Sequence, residues 1–405
     1  KMATDTKTSS VKKPTKKKPI LINKLELSNE TIHMALFIPH EEAIITVSSD
    51  KTVRVWIQRD NGQFWPSICH YMQEVGLCLD FNKESGKVFI GQTKGMIQEY
   101  DLSNDCNKLV LRRSYSAHTS NVNTVLFTLD YNWILSCGND KYFQWHCTKT
   151  GKRLGGYGAK SHCNCLQFDI ESSYVFMGDD SGEIHILKLS TENLKVITTL
   201  KGHSGSVQCI SWDMEKKWLY SGSFDESIII WDIGGQKGSA YELHGHTEKI
   251  RTMSLATHAQ KLFTIADDCK LTVWDMKTER AETPTWSQSD MCEKCATPFF
   301  WNFKQMWEEK AVGVRQHHCR KCGRAVCMKC SSYVSVLPNL GYEYDVRVCG
   351  DCYNSTKDEE KISTTCFHDI KHLIKHMSVD LSKKRMLTCG TDELVKIWDI
   401  KELLT

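Results

Sequence analysis

The sequence predicts an all-β fold: seven repeated units closed into a ring, with a small cysteine-rich module inserted late in the chain. Three observations predict it. The run IIIWDIG around Trp231 recurs as LTVWDMK around Trp274 and VKIWDIK around Trp398. Weaker copies keep the frame at Trp56, Tyr100, Trp145 and Leu187, and successive units are 44, 45, 42, 44 and 43 residues apart before one jump of 124. Inside that jump, between Cys292 and Cys352, fall eight of the 19 cysteines. A regular period of this size marks a repeat architecture whose units bury their faces by stacking on one another. Five regular steps and one long one give seven units and a single insertion of about 80 residues.

Each unit has one internal grammar. A Gly-His or its remnant opens it (Ala117-His118, Gly202-His203, Gly245-His246), an apolar strand follows, then a Ser/Gly-rich turn with Asp, then the strand carrying Trp. The turn aspartates are Asp50, Asp140, Asp225, Asp268 and Asp392. Period, turn and Trp-Asp together resemble the WD-repeat family, which implies four-stranded blades and a seven-bladed β-propeller. The chain stops soon after Trp398, leaving no room for an outer strand in the last blade. The apolar stretch ILINKLEL at residues 20–27 is expected to supply it, pairing the two ends of the ring so that no sheet edge stays open. Blades two and four depart from the pattern, with Lys94 in the place of the turn Asp, Asp180 one position early and Leu187 in the place of Trp. They are expected to lack the buried His, Ser, Asp and Trp network of the better copies.

Composition sets the limits around this reading. The 405 residues carry 52 Lys and Arg against 49 Asp and Glu, a net +3, so an anion site must be a local patch rather than the field of the whole molecule. No apolar signal core precedes the first strand, and no stretch is apolar and long enough to span a bilayer. The expected compartment is the reducing cytosol, where tight cysteine pairs are metal ligands rather than bridges. Four such pairs, Cys292/Cys295, Cys319/Cys322, Cys327/Cys330 and Cys349/Cys352, offer eight thiolates, enough for two closed four-cysteine sites, the structural zinc pattern. So small a module cannot build a sufficient apolar core, and metal binding supplies much of its folding free energy.

The run Arg315-Gln316-His317-His318-Cys319-Arg320-Lys321-Cys322-Gly323, with Arg347-Val348-Cys349 and Trp286 ahead of the first cysteine, resembles a FYVE-type zinc finger. The resemblance implies two structural Zn²⁺ ions held by alternating pairs: Cys292, Cys295, Cys327 and Cys330 on one, and Cys319, Cys322, Cys349 and Cys352 on the other. It also implies recognition of phosphatidylinositol 3-phosphate by Arg315, His317, His318, Arg320 and Arg347. A phosphomonoester asks for several strong donors converging on its oxygens, which guanidinium groups provide. Two departures are visible: Gln316 replaces a basic residue, and Asp290 stands one position late for the family's Trp-x-x-Asp. Asp290 is taken as the residue that meets inositol hydroxyls. By position, Val312, Gly313 and Val314, next to Ala311, resemble the family's membrane-inserting loop. The cluster Phe299, Phe300, Phe303, Met306 and Trp307 is expected to pack within the finger or against the propeller.

The whole arrangement resembles WD-repeat and FYVE domain-containing proteins, with the finger between the sixth and seventh blades. The expected division is a basic flexible tail at 1–19 carrying Lys12, Lys13, Lys16, Lys17 and Lys18, a closing strand and blades one to six at 20–284, the finger at 285–356, and blade seven at 357–405. By resemblance this is a non-enzymatic adaptor, cytoplasmic and peripheral on early endosome membranes, with protein partners on the propeller and room for homodimerisation through the finger. A RING-like ubiquitin ligase with a WD-repeat substrate domain is the alternative, weakened because RING spacing places a His ligand where this chain has an uninterrupted Cys pair. No nucleic-acid partner is expected, since the net charge is small and no recognition-helix pattern is present. No nucleophile with a partner, phosphate-cradling glycine loop or open metal site points to catalysis.

Overall fold

The fold was read from a computed structural model, which describes residues 17–26, 30–39, 41–191, 193–235, 240–310 and 312–404. Lys12, Lys13 and Lys16 of the basic tail, Leu27 and Ala311 lie outside the described residues. Seven antiparallel sheets form the blades of a propeller, each ordered so that its first strand is innermost. The first strands line a central cavity, to which Met34, Cys78, Val125, Leu166, Gln208 and Arg251 contribute from successive blades.

Burial falls from the second strand outward, as stacking of blade on blade requires. In blade one, Ala43–Ser48 is buried at every position, while in blade four the outer strand Leu194–Lys201 is mostly exposed. Second and third strands are covered on both faces by neighbouring blades, which is why they read as continuous apolar runs and not as alternating ones. Clusters of buried side chains bridge adjacent blades, such as Val55 and Val53 with Leu79, Val88 and Tyr100 between blades one and two.

The hairpin between second and third strands is the same device seven times. Positive φ recurs at Lys51, Gly95, Lys141, Gly182, Glu226, Cys269 and Glu393. At Asp50, Asp140, Asp225 and Asp268, each just before that residue, the carboxylate accepts the N–H two positions on, as from Thr52 to Asp50 and Ser227 to Asp225, both at 3.0 Å. This is an Asx turn, and it explains the recurring Asp without any role in chemistry.

The full network forms in blades five and six. His203 pairs with Asp225 at 3.0 Å and with Ser221 at 2.7 Å, and Trp231 Nε1 donates to the same Ser221 at 2.9 Å. His246, Asp268, Thr264 and Trp274 repeat it. Blades two and four do not simply lack a network; they build others. In blade four Asp179 stands at the register position of Ser223 in blade five and accepts from Ser181 and from the Glu183 N–H, while His185 meets it at 3.1 Å. Asp179, Glu183 and His185 stand close enough for a metal ion, but Lys201 pairs with Glu183 at 2.7 Å and the other two are spent on this network. In blade two Gln98 accepts from Gln92 and from Tyr100, filling the same space with amide and phenol.

Two blades are completed by strands distant in sequence. The outer strand of blade seven is Ile20–Glu26, antiparallel to Leu394–Asp399, with Leu21 opposite Trp398 and Glu26 opposite Leu394. Arg385 reaches from blade seven to Glu42 of blade one at 2.5 Å, a second tie across the seam. The outer strand of blade six is Cys366–Asp369, which follows the finger and pairs with Lys270–Asp275 ahead of it. The finger is therefore inserted inside blade six, between its third and fourth strands, because the repeat in the sequence is offset by one strand from the blade in space. Blade seven proper begins at Ile374–Asp380.

Candidate functional site

The finger is a small module of two-stranded pieces and two short helices, Phe303–Glu309 and Gly350–Ser355. Its cysteines gather in two groups. Cys292, Cys295, Cys327 and Cys330 form one and Cys319, Cys322, Cys349 and Cys352 the other, with all sulfurs of a group within 4.8 Å of one another. Four thiolates at about 2.3 Å from a central Zn²⁺ stand about 3.8 Å apart, so each group fits a tetrahedral ion. Backbone amides support the sulfurs: Cys327 N–H donates to Cys292 Sγ at 3.3 Å, and Cys349 N–H to Cys319 Sγ at 3.2 Å. Such N–H···S bonds orient ligands and offset thiolate charge. Neither group contains a histidine, which removes the geometry of the RING reading. The finger is a two-zinc module.

The second group builds the basic site. By drawing the Cys319 pair to the Cys349 pair it brings two strands side by side, and Arg320 N–H donates to the Arg347 carbonyl at 3.0 Å. His317–His318 pairs with Ala325–Val326. His317, His318, Arg320 and Arg347 thereby line one cavity of about 510 Å³, together with Gln316, Trp286 and Tyr342. Trp286 stacks on His318 with centroids 4.8 Å apart, and the Arg320 guanidinium lies 4.6 Å from its ring centre. His318 Nε2 is 3.0 Å from the Ser287 carbonyl, and Arg347 Nη1 donates to the Ser331 carbonyl, also at 3.0 Å. These contacts fix the donors before any ligand arrives, which limits the ordering cost of binding. Burial, with Arg347 and Arg315 nearby, holds the His317 imidazole below its ordinary pKa, as expected of a cavity rich in positive charge and built for an anion.

The other expected residues are placed differently. Arg315 is exposed and lines neither this cavity nor its neighbour. Asp290 lines an adjoining cavity, which shares Trp286, Gln316 and His318 with the first, and its carboxylate accepts from Trp301 Nε1 at 3.1 Å. Among the described residues of the expected insertion loop, only Val312 is exposed, at 80%. Gly313 is buried, and a Cβ there would come within 2.8 Å of Phe300 Cα. Val314 is tied to Phe299 by a strand bridge and packs on the finger core. The aromatic cluster divides: Phe299 is fully buried, whereas Phe303 and Trp307 are 74% and 86% exposed. In the helix Phe303–Glu309, Gln305 and Met306 are half-buried while Phe303, Lys304, Trp307 and Glu308 are exposed, so its spacing could not announce a second packing partner.

What the sequence did not announce is the far wall of the cavity. Glu242 and His244 line it, from Ala240–His244, the outer strand of blade five. His244 stacks flat on Tyr342, centroids 4.8 Å apart and planes within 4°, and its N–H donates to the Gly341 carbonyl at 2.8 Å. At that point Tyr342–Val348 joins the blade-five sheet in parallel. Gly341 has φ +81°, and a Cβ on it would sit 1.9 Å from the Glu242 carbonyl oxygen, so only glycine permits this approach. No local motif links residues 242 and 244 to the finger; docking alone does.

A scaffold class is thus defined: a propeller carrying a two-zinc finger with a basic cavity. The model of the FYVE zinc finger matches residues 284–358, and that of the WD domain, G-beta repeat, matches 109–144, 194–232 and 238–275. The last three stretches lead into or contain blades three, five and six, the ones whose opening His meets its turn Asp within about 3.1 Å. The chain is 48% identical over 393 residues to WD repeat and FYVE domain-containing protein 2 of Homo sapiens, covering 97% of this chain and 98% of that protein. It is 45% identical over 388 residues to WD repeat and FYVE domain-containing protein 1 of Mus musculus, covering 96% and 95%, and 36% identical over 390 residues to protein 2 of Caenorhabditis elegans, covering 95% and 94%. The chain belongs to the WD repeat and FYVE domain-containing protein family. It is a non-catalytic scaffold that binds phosphatidylinositol 3-phosphate.

Proposed function

We propose that the 3-phosphate of the lipid headgroup is held in the cavity by His317, His318, Arg320 and Arg347, with the eight cysteines as ligands of two zinc ions that hold these donors in register. The observation that carries this reading is the Arg320–Arg347 backbone bond across the second cysteine group, which converges two guanidinium groups and two imidazoles on one space. Arg315, exposed beside the cavity, assists as a long-range charge, and Asp290, which accepts from Trp301 in the adjoining cavity, meets the inositol hydroxyls from that side. Apolar contact with the bilayer comes from Val312 together with Phe303 and Trp307, while Gly313 and Val314 hold the loop. Aromatic side chains suit the interface between water and lipid.

The functional division follows the fold: residues 285–356 read the membrane, and the ring of 20–284 and 357–405 presents its loops to protein partners. The site of action is the early endosome membrane, and homodimerisation through the finger multiplies a weak single contact. Sedimentation with phosphatidylcholine vesicles with and without phosphatidylinositol 3-phosphate tests the headgroup assignment. Wild-type protein is expected to require the phosphoinositide, and Arg320→Ala to lose at least about tenfold in affinity, the worth of one charge-assisted contact. Equal sedimentation of both proteins with both vesicles defeats the assignment.

A further inference from the structure

The headgroup cavity is not the finger's alone. One wall belongs to blade five, and that wall is acidic: Glu242 lines the same space as Arg320 and Arg347. Its carboxylate accepts from His244 Nε2 at 2.8 Å, and this hydrogen bond holds it below the usual carboxylate range, so it is an anion at neutral pH. His244 is in turn fixed by its stack on Tyr342 and by the Gly341 carbonyl. The carboxylate is thus held in place across the finger–propeller joint, by contacts that the lipid does not make.

We propose that Glu242 of the propeller is a specificity-determining residue of the phosphoinositide site, selecting a headgroup with one phosphate over headgroups with two. The proposal rests on the reading of the cavity given above. A single phosphomonoester is matched by the cations of the finger. Inositol hydroxyls that point to the propeller can donate to a carboxylate, whereas a second phosphate there meets a like charge in a partly desolvated space. At a separation of several ångströms such a pair costs enough for a preference of about three- to tenfold. The finger supplies attraction and the ring supplies the repulsive element, a division that specific sites commonly use.

The test uses the full-length zinc-loaded protein and phosphatidylcholine vesicles containing phosphatidylinositol 3-phosphate, the 3,4-bisphosphate or the 3,5-bisphosphate. The quantity read is the ratio of affinities, monophosphate over bisphosphate. Glu242→Gln is expected to lower that ratio by about three- to tenfold. His244→Phe keeps the stack on Tyr342 but removes the donor that partly neutralises Glu242, and is expected to raise it. Asp345→Asn removes an exposed carboxylate of the same finger strand that does not line the cavity, and is expected to leave the ratio as it is. An unchanged ratio in Glu242→Gln, or both cavity variants moving it the same way, overturns the inference while leaving the headgroup assignment standing. Wild-type protein that ignores the monophosphate vesicles overturns both.

Discussion

Blade five and the finger share a sheet edge, His244 beside Tyr342, and are held together by opposite means. In blade five the polar network of His203, Ser221, Asp225 and Trp231 sits on an apolar stack of Ile228, Ile230, Leu243 and Tyr220 that continues into blade six. In the finger the metal ligands are built into the buried cluster itself: Cys292, Cys319, Cys327, Cys349 and Cys352 are members of it beside Phe299, Leu337, Val346 and Val348. The ring can lose a polar network and build another, as blades two and four do, because its apolar stack is already sufficient. The finger has no such reserve, since removing a thiolate removes ligand and core together.

Chelation gives that contrast its largest effect. Structural zinc contributes about 10–16 kcal/mol per site in small finger peptides. Exhaustive removal of zinc is expected to abolish phosphoinositide binding and unfold the finger, while the β-sheet circular dichroism of the ring persists and melts separately. One cooperative loss of all structure on chelation would show that the ring depends on the finger after all. Gly341→Ala attacks the joint itself. The clash with the Glu242 carbonyl should loosen the finger from the ring without touching a zinc ligand, read as faster proteolysis between residues 276 and 365 at unchanged zinc content. Within the ring, Asp225→Ala leaves His203 Nδ1 without its carboxylate at a cost of about 1–3 kcal/mol, so the melting temperature falls by a few degrees with lipid binding intact.

The smallest effect is acid-dependent and belongs to blade four. Burial alone would raise the Asp179 pKa, yet hydrogen bonds from His185, Ser181 and the Glu183 N–H hold it down at about 2. A carboxyl depressed in the folded state contributes stability that is complete above its unfolded pKa and is lost as the pH falls through the folded one. The melting temperature of wild-type protein is therefore expected to drop between about pH 4 and pH 2, and Asp179→Asn to be less stable near neutrality but to lose less over that range. Parallel pH profiles for the two proteins would remove Asp179 from the network.

Much of this was legible in the residues. The ring follows from the recurring Trp and the turn Asp, whose purpose is local and so is written locally. The four cysteine pairs follow from spacing, their alternation into two groups from the family resemblance, and the gathering of His317, His318, Arg320 and Arg347 from the ligands that flank them. The rest depends on partners far along the chain. Whether Phe303 faces water or protein, whether Val314 belongs to the loop or the core, and which strand finishes blade six are decided by docking, for which no periodicity exists. Asp179 is intermediate: it stands where blade five carries Ser223 and blade three Gly138, and its bond to His185 six residues on emerges only with the register of the strands.

The strand that completes blade six lies beyond the finger, and this has a consequence for biosynthesis. As the chain leaves the ribosome, five blades can assemble in order, each from contiguous residues, and the sixth then waits with an open edge from Asp275 until Cys366. Blade seven waits still longer, since Glu26 is made first and meets Leu394 last. Zinc capture by the finger therefore falls within the interval when blade six has an open edge and Ile20–Glu26 still lacks its partner strand, and a nascent chain starved of metal would present both to chaperones at once.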